Sequence, residues 1–199
     1  MSLSPSGSLR DRRRAELLSH IRYTAYQLFA ERGFAAATTE DIAAAAGVSV
    51  STYFRHAPTK EGLLVDPIRQ AVGEVVVAYG DRPPEETAVD ALIEVLVAHA
   101  RDPAEQDFGA WRRAILSTPD LLTKSTLVTE ADEQKLVEQV AARMGIDPSA
   151  DFRPSLLVYT SMATIKFVLD RWLTADPPVR APFHAQMEEA LRITLAGFG

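Results

Sequence analysis

Apolar residues return every three or four positions along most of this 199-residue chain, and no stretch alternates with the period of two that a strand requires. The pattern predicts an all-α protein of about nine or ten helices. Leu17, Leu18, Ile21, Ala25, Leu28 and Phe29 mark a first amphipathic helix over 11–32, closed by Gly33. Thr38 or Thr39 can cap a short second helix, with Glu40 and Asp41 at the positive end of its dipole and Ile42, Ala45 and Ala46 facing inward, and Gly47 stops it. Ser49 can cap a third helix after Val48, which plugs the angle between the two. Two helices joined by a turn of about three or four residues have helix-turn-helix spacing. The face of the third helix that packing does not need, Val50, Ser51, Thr52, Arg55 and His56, is small at its start and then hydroxyl-bearing and basic. A helix fits the major groove of DNA with its N-terminal residues nearest the base edges.

Prolines divide the remainder. Thr59 caps a fourth helix, which Asp66-Pro67 is predicted to break or kink near 65–67 before a new helix runs to Tyr79. That kink is either a point on a signalling path or passive. Pro83-Pro84 opens a helix to about Arg101, and Asp102-Pro103 opens one that carries Phe108, Trp111, Ile115 and Leu116. Thr118-Pro119 opens a long helix to Met144, closed by Gly145, and Asp151 to Pro154 starts the most apolar helix, ending near Ala175. Pro177-Pro178 or Pro182 precedes the last helix, to Leu195. The helix over 156–173 is apolar on more than one face, so it is buried on two sides. Ile165, Val168, Leu169 and Trp172, with Phe183, Met187 and Leu191 of the last helix, are expected to form a homodimer interface about a two-fold axis; the alternative is a central helix in a monomer.

Composition narrows the chemistry. At 47% hydrophobic and 24% charged residues the chain is of ordinary globular type. It has no apolar run of membrane-spanning length and no signal-peptide hydrophobic region, so no membrane partner and a cytoplasmic location are expected. The absence of cysteine excludes disulfides, thiol nucleophiles and thiolate metal sites. The net charge of −6 divides unevenly: residues 1–62 hold eight Lys/Arg against six Asp/Glu, net +2, and the remainder is −8. The basic excess therefore sits with the helix-turn-helix. Residues 1–9 are Ser, Gly and Pro rich and expected to be disordered, and Arg10, Arg12, Arg13 and Arg14 after them form either a DNA-contacting arm or a solvated helix start. No nucleophile elbow, phosphate loop, dinucleotide fingerprint or metal-binding His/Glu spacing occurs, and the histidines at 20, 56, 99 and 184 show no ligand spacing. No catalytic residue, metal or cofactor is expected. A small-molecule pocket in the helical C-terminal part would be apolar with a few polar anchors. Leu92, Leu96, His99, Phe108 and Trp111 are candidates for it, with Ile115, Leu122, Tyr159 and Met162, and Trp111 and Tyr159 each bring a polar tip.

The run from Ala46 to Leu64, A-G-V-S-x-x-T-aromatic-aromatic-x-H-x-x-T-K-E-x-L-L, preceded by a long amphipathic helix, resembles the DNA-binding domain of TetR-family transcriptional regulators. The resemblance implies a helix-turn-helix domain over 10–64 and an effector-binding, dimerising helical domain over 65–199. It also implies a repressor that binds a palindromic DNA operator as a homodimer. By the family pattern Val50, Ser51 and Arg55 read bases, while Thr39, Thr52, Phe54, His56 and Lys60 hold phosphates. Two departures stand out. The family places an aliphatic residue and then Tyr where this chain has Tyr53 and Phe54, so either Tyr53 supplies the phosphate-binding hydroxyl from a neighbouring angle or that contact is lost. Ala57 replaces a bulky apolar residue. Segments 111–128 and 142–173 resemble the C-terminal domain of actinobacterial regulators of the mycofactocin-regulator type, which implies a small lipophilic effector. A DNA binder that senses nothing, and an enzyme on a helical bundle, are the competing readings.

Overall fold

The computed structural model describes residues 9–101, 105–175 and 182–198, and among them every regular element is helical. The helices are α1 (Leu9–Arg32), α2 (Thr39–Ala45), α3 (Val50–His56), α4 (Gly62–Gly80), α5 (Ala88–Ala100), α6 (Glu105–Leu116), α7 (Asp120–Lys124), α8 (Glu130–Met144), α9 (Arg153–Thr174) and α10 (Phe183–Leu195). The helix starts read from Asp102-Pro103 and Pro177-Pro178, and nearly all of the Ser/Gly/Pro-rich N-terminus, lie outside the described residues. Pro182 is the N-cap of α10, as the sequence allowed.

Three predicted boundaries move, each for a local reason. The helix expected from Pro83-Pro84 starts at Ala88, because Thr87 accepts the Asp90 amide as its cap. The long helix expected from Pro119 to Met144 is two helices, since Thr129 caps α8 by accepting the Asp132 amide and three acidic residues fill its first turn. Thr38 and Asp41 repeat that Thr-x-x-Asp arrangement at the start of α2. Of the break or kink expected near 65–67, the break does not occur: α4 runs from Gly62 to Gly80 with Pro67 inside it. The carbonyl that loses its helical donor to the proline, Leu63 O, takes a hydrogen bond from Tyr26 Oη at 2.9 Å instead.

The chain forms two compact units, residues 1–67 with 104–125, and residues 68–103 with 126–199. In the first, α6 packs along α1 and its Ala110, Trp111, Ala114 and Ile115 join Ile21, Phe29, Ile42 and Tyr53 among the buried residues. Ser117, just past α6, accepts the Phe34 amide at 3.2 Å. In the second, α5, α8, α9 and α10 enclose a core with Leu92, Ile93, Val140, Leu157, Leu191 and Leu195 at its centre. α9 and α10 are tied by a hydroxyl pair, Thr164 to Thr194 at 3.0 Å, and by Trp172 set edge-on to Phe183 at 5.8 Å.

Candidate nucleic-acid interface

The local sequence builds the reading head from its caps. Thr38 accepts the Asp41 amide while Asp41 accepts the Thr38 amide, a reciprocal box that closes the first turn of α2. The Thr38 hydroxyl and amide, with Arg32 at 3.8 Å, hold the Asp41 carboxyl below its usual range. At the other end Gly47 takes φ +67, which lets its own amide reach Ala44 O and the Val48 amide reach Ala43 O. That pair of bonds ends the helix and turns the chain, and a side chain at 47 would strain it. Ile42, Ala43 and Ala46 are buried, whereas Ala45, expected inside, is exposed. Ser49 then accepts the Thr52 amide at 3.1 Å and caps α3.

On α3, Tyr53 is fully buried, followed one turn later by buried Ala57. These two positions fix which side faces inward, and the outward side carries Val50, Ser51, Phe54 and Arg55, all exposed, with Thr52 and His56 half-buried beside them. His56 Nδ1 is buried without a hydrogen-bond partner. Thr39 is half-buried at the start of α2 and donates to Glu40 at 3.0 Å.

The Tyr53–Phe54 departure resolves against one of its two readings. The Tyr53 hydroxyl is buried without a partner, and burial, with the nearby Glu61 and Glu40 charges, pushes it up to about 12. It cannot reach a phosphate, so Tyr53 drops out of the candidate interface, and Phe54, 45% exposed, occupies the outward position without a hydroxyl. Tyr53→Phe is therefore expected to leave DNA affinity unchanged and stability equal or slightly higher, because it deletes an unsatisfied buried group. Phe54→Tyr is expected to raise affinity by roughly threefold to tenfold by restoring a phosphate hydrogen bond. Both follow from titration of one duplex and thermal denaturation of the free proteins.

Lys60 carries more than the phosphate role that the sequence suggests. Its Nζ donates to Phe34 O at 2.7 Å and Ala37 O at 3.0 Å and lies 4.4 Å from the Phe34 ring centroid. Two of its three N–H groups thus fasten the loop between α1 and α2, and one is left for a phosphate. Lys60→Ala is expected to lower the melting temperature without DNA by roughly 2–8 °C. A residue that only met phosphates would show no such loss. Arg10, Arg12, Arg13 and Arg14 lie in the first turns of α1 and are exposed, a helical basic end.

The pocket candidates do not converge. Leu92 is buried in the core of the second unit, with Leu96 and Met162 packed against it and His99 half-buried on α5. Trp111 and Ile115 are buried in the first unit, and Leu122 lies half-buried on α7. Phe108 lies in α6, its side chain outside the described residues. The two polar tips are occupied: the Trp111 indole donates to Leu64 O at 2.9 Å, and the exposed Tyr159 hydroxyl donates to Glu133, whose carboxylate holds the phenol above its usual range. Tyr159 lines an open groove of about 370 Å³ with Glu130, Glu133 and Glu138, a grouping of residues from two helices that no sequence spacing marks. Of the residues assigned to a dimer interface, Val168, Met187 and Leu191 are buried in the core of their own unit, and Ile165 and Phe183 pack against that core. Trp172 faces Phe183, and Leu169 is half-buried. The exposed apolar residues of this region are Leu156, Tyr159 and Phe167 on α9 and Ile193 on α10.

A capped short helix with an exposed polar and basic face, carried on a second helix and a left-handed glycine turn, defines a helix-turn-helix DNA-binding protein. Residues 21–66 match the model of bacterial regulatory proteins of the tetR family, and residues 86–199 match the MftR C-terminal domain. The chain is 30% identical over 188 residues to the HTH-type transcriptional regulator TcmR of Streptomyces glaucescens, covering 89% of this chain and 83% of TcmR. It is 28% identical over 171 residues to MftR of Mycobacterium tuberculosis, named as a mycofactocin biosynthesis transcriptional regulator, covering 85% of this chain and 86% of that one. In fold it is similar to the Thermus thermophilus repressor FadR solved with lauroyl-CoA, at a TM-score of 0.51 and 23% identity over 92% of this chain and 95% of that one. The chain belongs to the TetR family and is a DNA-binding transcriptional regulator, not an enzyme. Among the described residues no helix is long and apolar enough to cross a membrane.

Proposed function

We propose that the chain is a homodimeric repressor that grips a palindromic operator through α3, with its grip set by a small lipophilic effector in the C-terminal unit. The observation that carries this reading is the exposed Val50, Ser51 and Arg55 face of α3, held outward by the buried Tyr53 behind it. Val50, Ser51 and Arg55 read bases in this scheme. Thr39, Thr52, His56 and the remaining N–H of Lys60 hold phosphates, and Phe54 meets the sugar edge. The DNA it reads puts its work in the cytoplasm. Selection of duplexes from a random pool is the test. A palindrome with half-sites about 34–36 Å apart is expected, and Arg55→Ala should relax preference at one position. A protein that enriches no sequence at low salt overturns the reading.

The second copy is proposed to pair over the exposed stripe of α9, where Leu156, Tyr159, Ala163 and Phe167 follow one another on one helical face, together with exposed Ile193 of α10. This replaces the buried Val168, Met187 and Leu191 with residues that a partner can reach. Phe167→Asp should convert a dimer to a monomer in sedimentation and weaken operator binding with it. A wild-type monomer at micromolar concentration removes this part. For the effector, the support is the match to the MftR C-terminal domain and the acyl-CoA complex of FadR. Leu96, His99 and Met162, partly buried at the edge of the second core, are its proposed contacts. The His99 Nδ1 pairs with Val95 O at 2.8 Å, which leaves Nε2 of the neutral ring as an acceptor. A thermal-shift screen of acyl-CoA thioesters and other lipophilic metabolites should find a ligand that stabilises the protein by about 2.7 kcal/mol at a hundredfold excess over Kd.

A further inference from the structure

Pro67 lies inside α4, where its ring nitrogen has no hydrogen, so the carbonyl four residues back, Leu63 O, has no donor in its own helix. Tyr26 Oη of α1 donates to it at 2.9 Å, and both side chains are buried. The next carbonyl, Leu64 O, accepts from Trp111 Nε1 of α6 at 2.9 Å, again between buried residues. All five residues belong to the unit that carries the reading helix. A buried carbonyl without a donor costs more than a made hydrogen bond contributes. A vacancy that one residue creates and another fills is therefore a specific attachment and not incidental packing. It also has a direction: turning α4 by one residue, about 100°, would aim the vacant carbonyl away from α1.

We propose that Pro67 opens a one-carbonyl socket at Leu63 O, and that Tyr26, seated in it, and Trp111, on the neighbouring Leu64 O, are the positioning residues that fix where α4 leaves the DNA-reading head. α6 belongs to the segment 104–125, which the chain joins at both ends to the other unit. The consequence for operator binding rests on the function proposed above; the attachment itself does not.

A double-mutant cycle on the full chain without DNA tests the socket. Tyr26→Phe is expected to lower Tm by about 4–8 °C, because it leaves Leu63 O empty in the interior. In a Pro67→Ala background, where residue 67 regains the N–H that bonds Leu63 O, the same change should cost less than half as much. Equal losses in the two backgrounds overturn the proposal. The positioning role is read well below both melting points, with a duplex selected from a random pool by the wild-type protein. Tyr26→Phe and Trp111→Phe should each weaken binding by about fivefold or more. Pro67→Ala should rescue Tyr26→Phe but not Trp111→Phe, since it returns a donor to Leu63 O alone. Folded variants that bind as tightly as the wild type overturn the positioning role. A wild-type protein that selects no duplex overturns the function instead, and the DNA-free cycle still decides the socket.

Discussion

Ser51→Glu is expected to weaken operator binding by about 100-fold or more while leaving the melting temperature of the free protein roughly unchanged. Ser51 is exposed at the second position of α3, one residue from the helix start and on the face opposite buried Tyr53. A glutamate there suits the helix, since the first turn of α3 carries no acidic residue and the N-terminal end of a helix favours negative charge. In the proposed complex the same carboxylate would meet base edges and phosphates in the groove, where like charge costs several kcal/mol. Binding thus falls while the stability of the free protein is kept, so a binding loss cannot be traced to unfolding. Fluorescence anisotropy with the selected duplex reads the first and thermal denaturation the second. Binding indistinguishable from the wild type would place α3 outside the groove.

The head was legible because its determinants are local. Capping residues, an acidic first turn and a glycine at φ +67 each act on partners no more than five residues away, and each is visible in the sequence. The same grammar at Thr87-x-x-Asp90 and Thr129-x-x-Asp132 marks the starts of α5 and α8; Pro83-Pro84 drew the first too early, and the helix that does begin after Pro119 was read through the second. The phase of α3 was legible only in part: the sequence puts Val50, Ser51 and Arg55 outside but leaves open which of two adjacent aromatics turns inward, and Tyr53 is buried with Ala57 while Phe54 is exposed. What lay beyond the sequence is long-range. Pro67 does not break α4, because a hydroxyl 37 residues away supplies a donor to the stranded carbonyl. On α9 apolar residues surround the helix, and composition cannot say which stripe faces its own core. Leu157, Val158 and Val168 take that side, and Leu156 and Phe167 are left outside. The pocket candidates failed to gather for a related reason. Trp111 has the amphipathic character of a ligand anchor, yet its indole is used within the fold, by the carbonyl next to the proline's vacancy.

Arg143→Ala is expected to lower Tm by about 5–15 °C, the largest loss for any single charged residue of the C-terminal unit, and Arg143→Lys to recover less than half of it. The guanidinium near the end of α8 donates through Nη1 to Pro83 O at 2.6 Å and Glu86 O at 3.3 Å. Through Nη2 it donates to Arg82 O at 3.0 Å and, with a longer contact of 3.4 Å, to Tyr79 O. Its carbon centre lies 5.2 Å from the Tyr79 ring centroid. Four carbonyls from the end of α4 and the following loop therefore converge on one side chain; Tyr79 O and Pro83 O also take the Arg82 and Glu86 amides, in a stretch, 81–87, that forms turns and no helix. Helix C-terminal carbonyls carry partial negative charge, so a cation there is favoured twice, by dipole and by hydrogen bond. Lysine keeps the charge but offers a point donor in place of a planar fork, and cannot span carbonyls on both sides. The loss should be local. Amide hydrogen exchange is expected to rise over 75–97, which this clamp holds against α8, and to stay unchanged in α2 and α3, whose caps and core involve none of these residues. Uniform acceleration across both units would mean that Arg143 supports the whole chain and not this one corner.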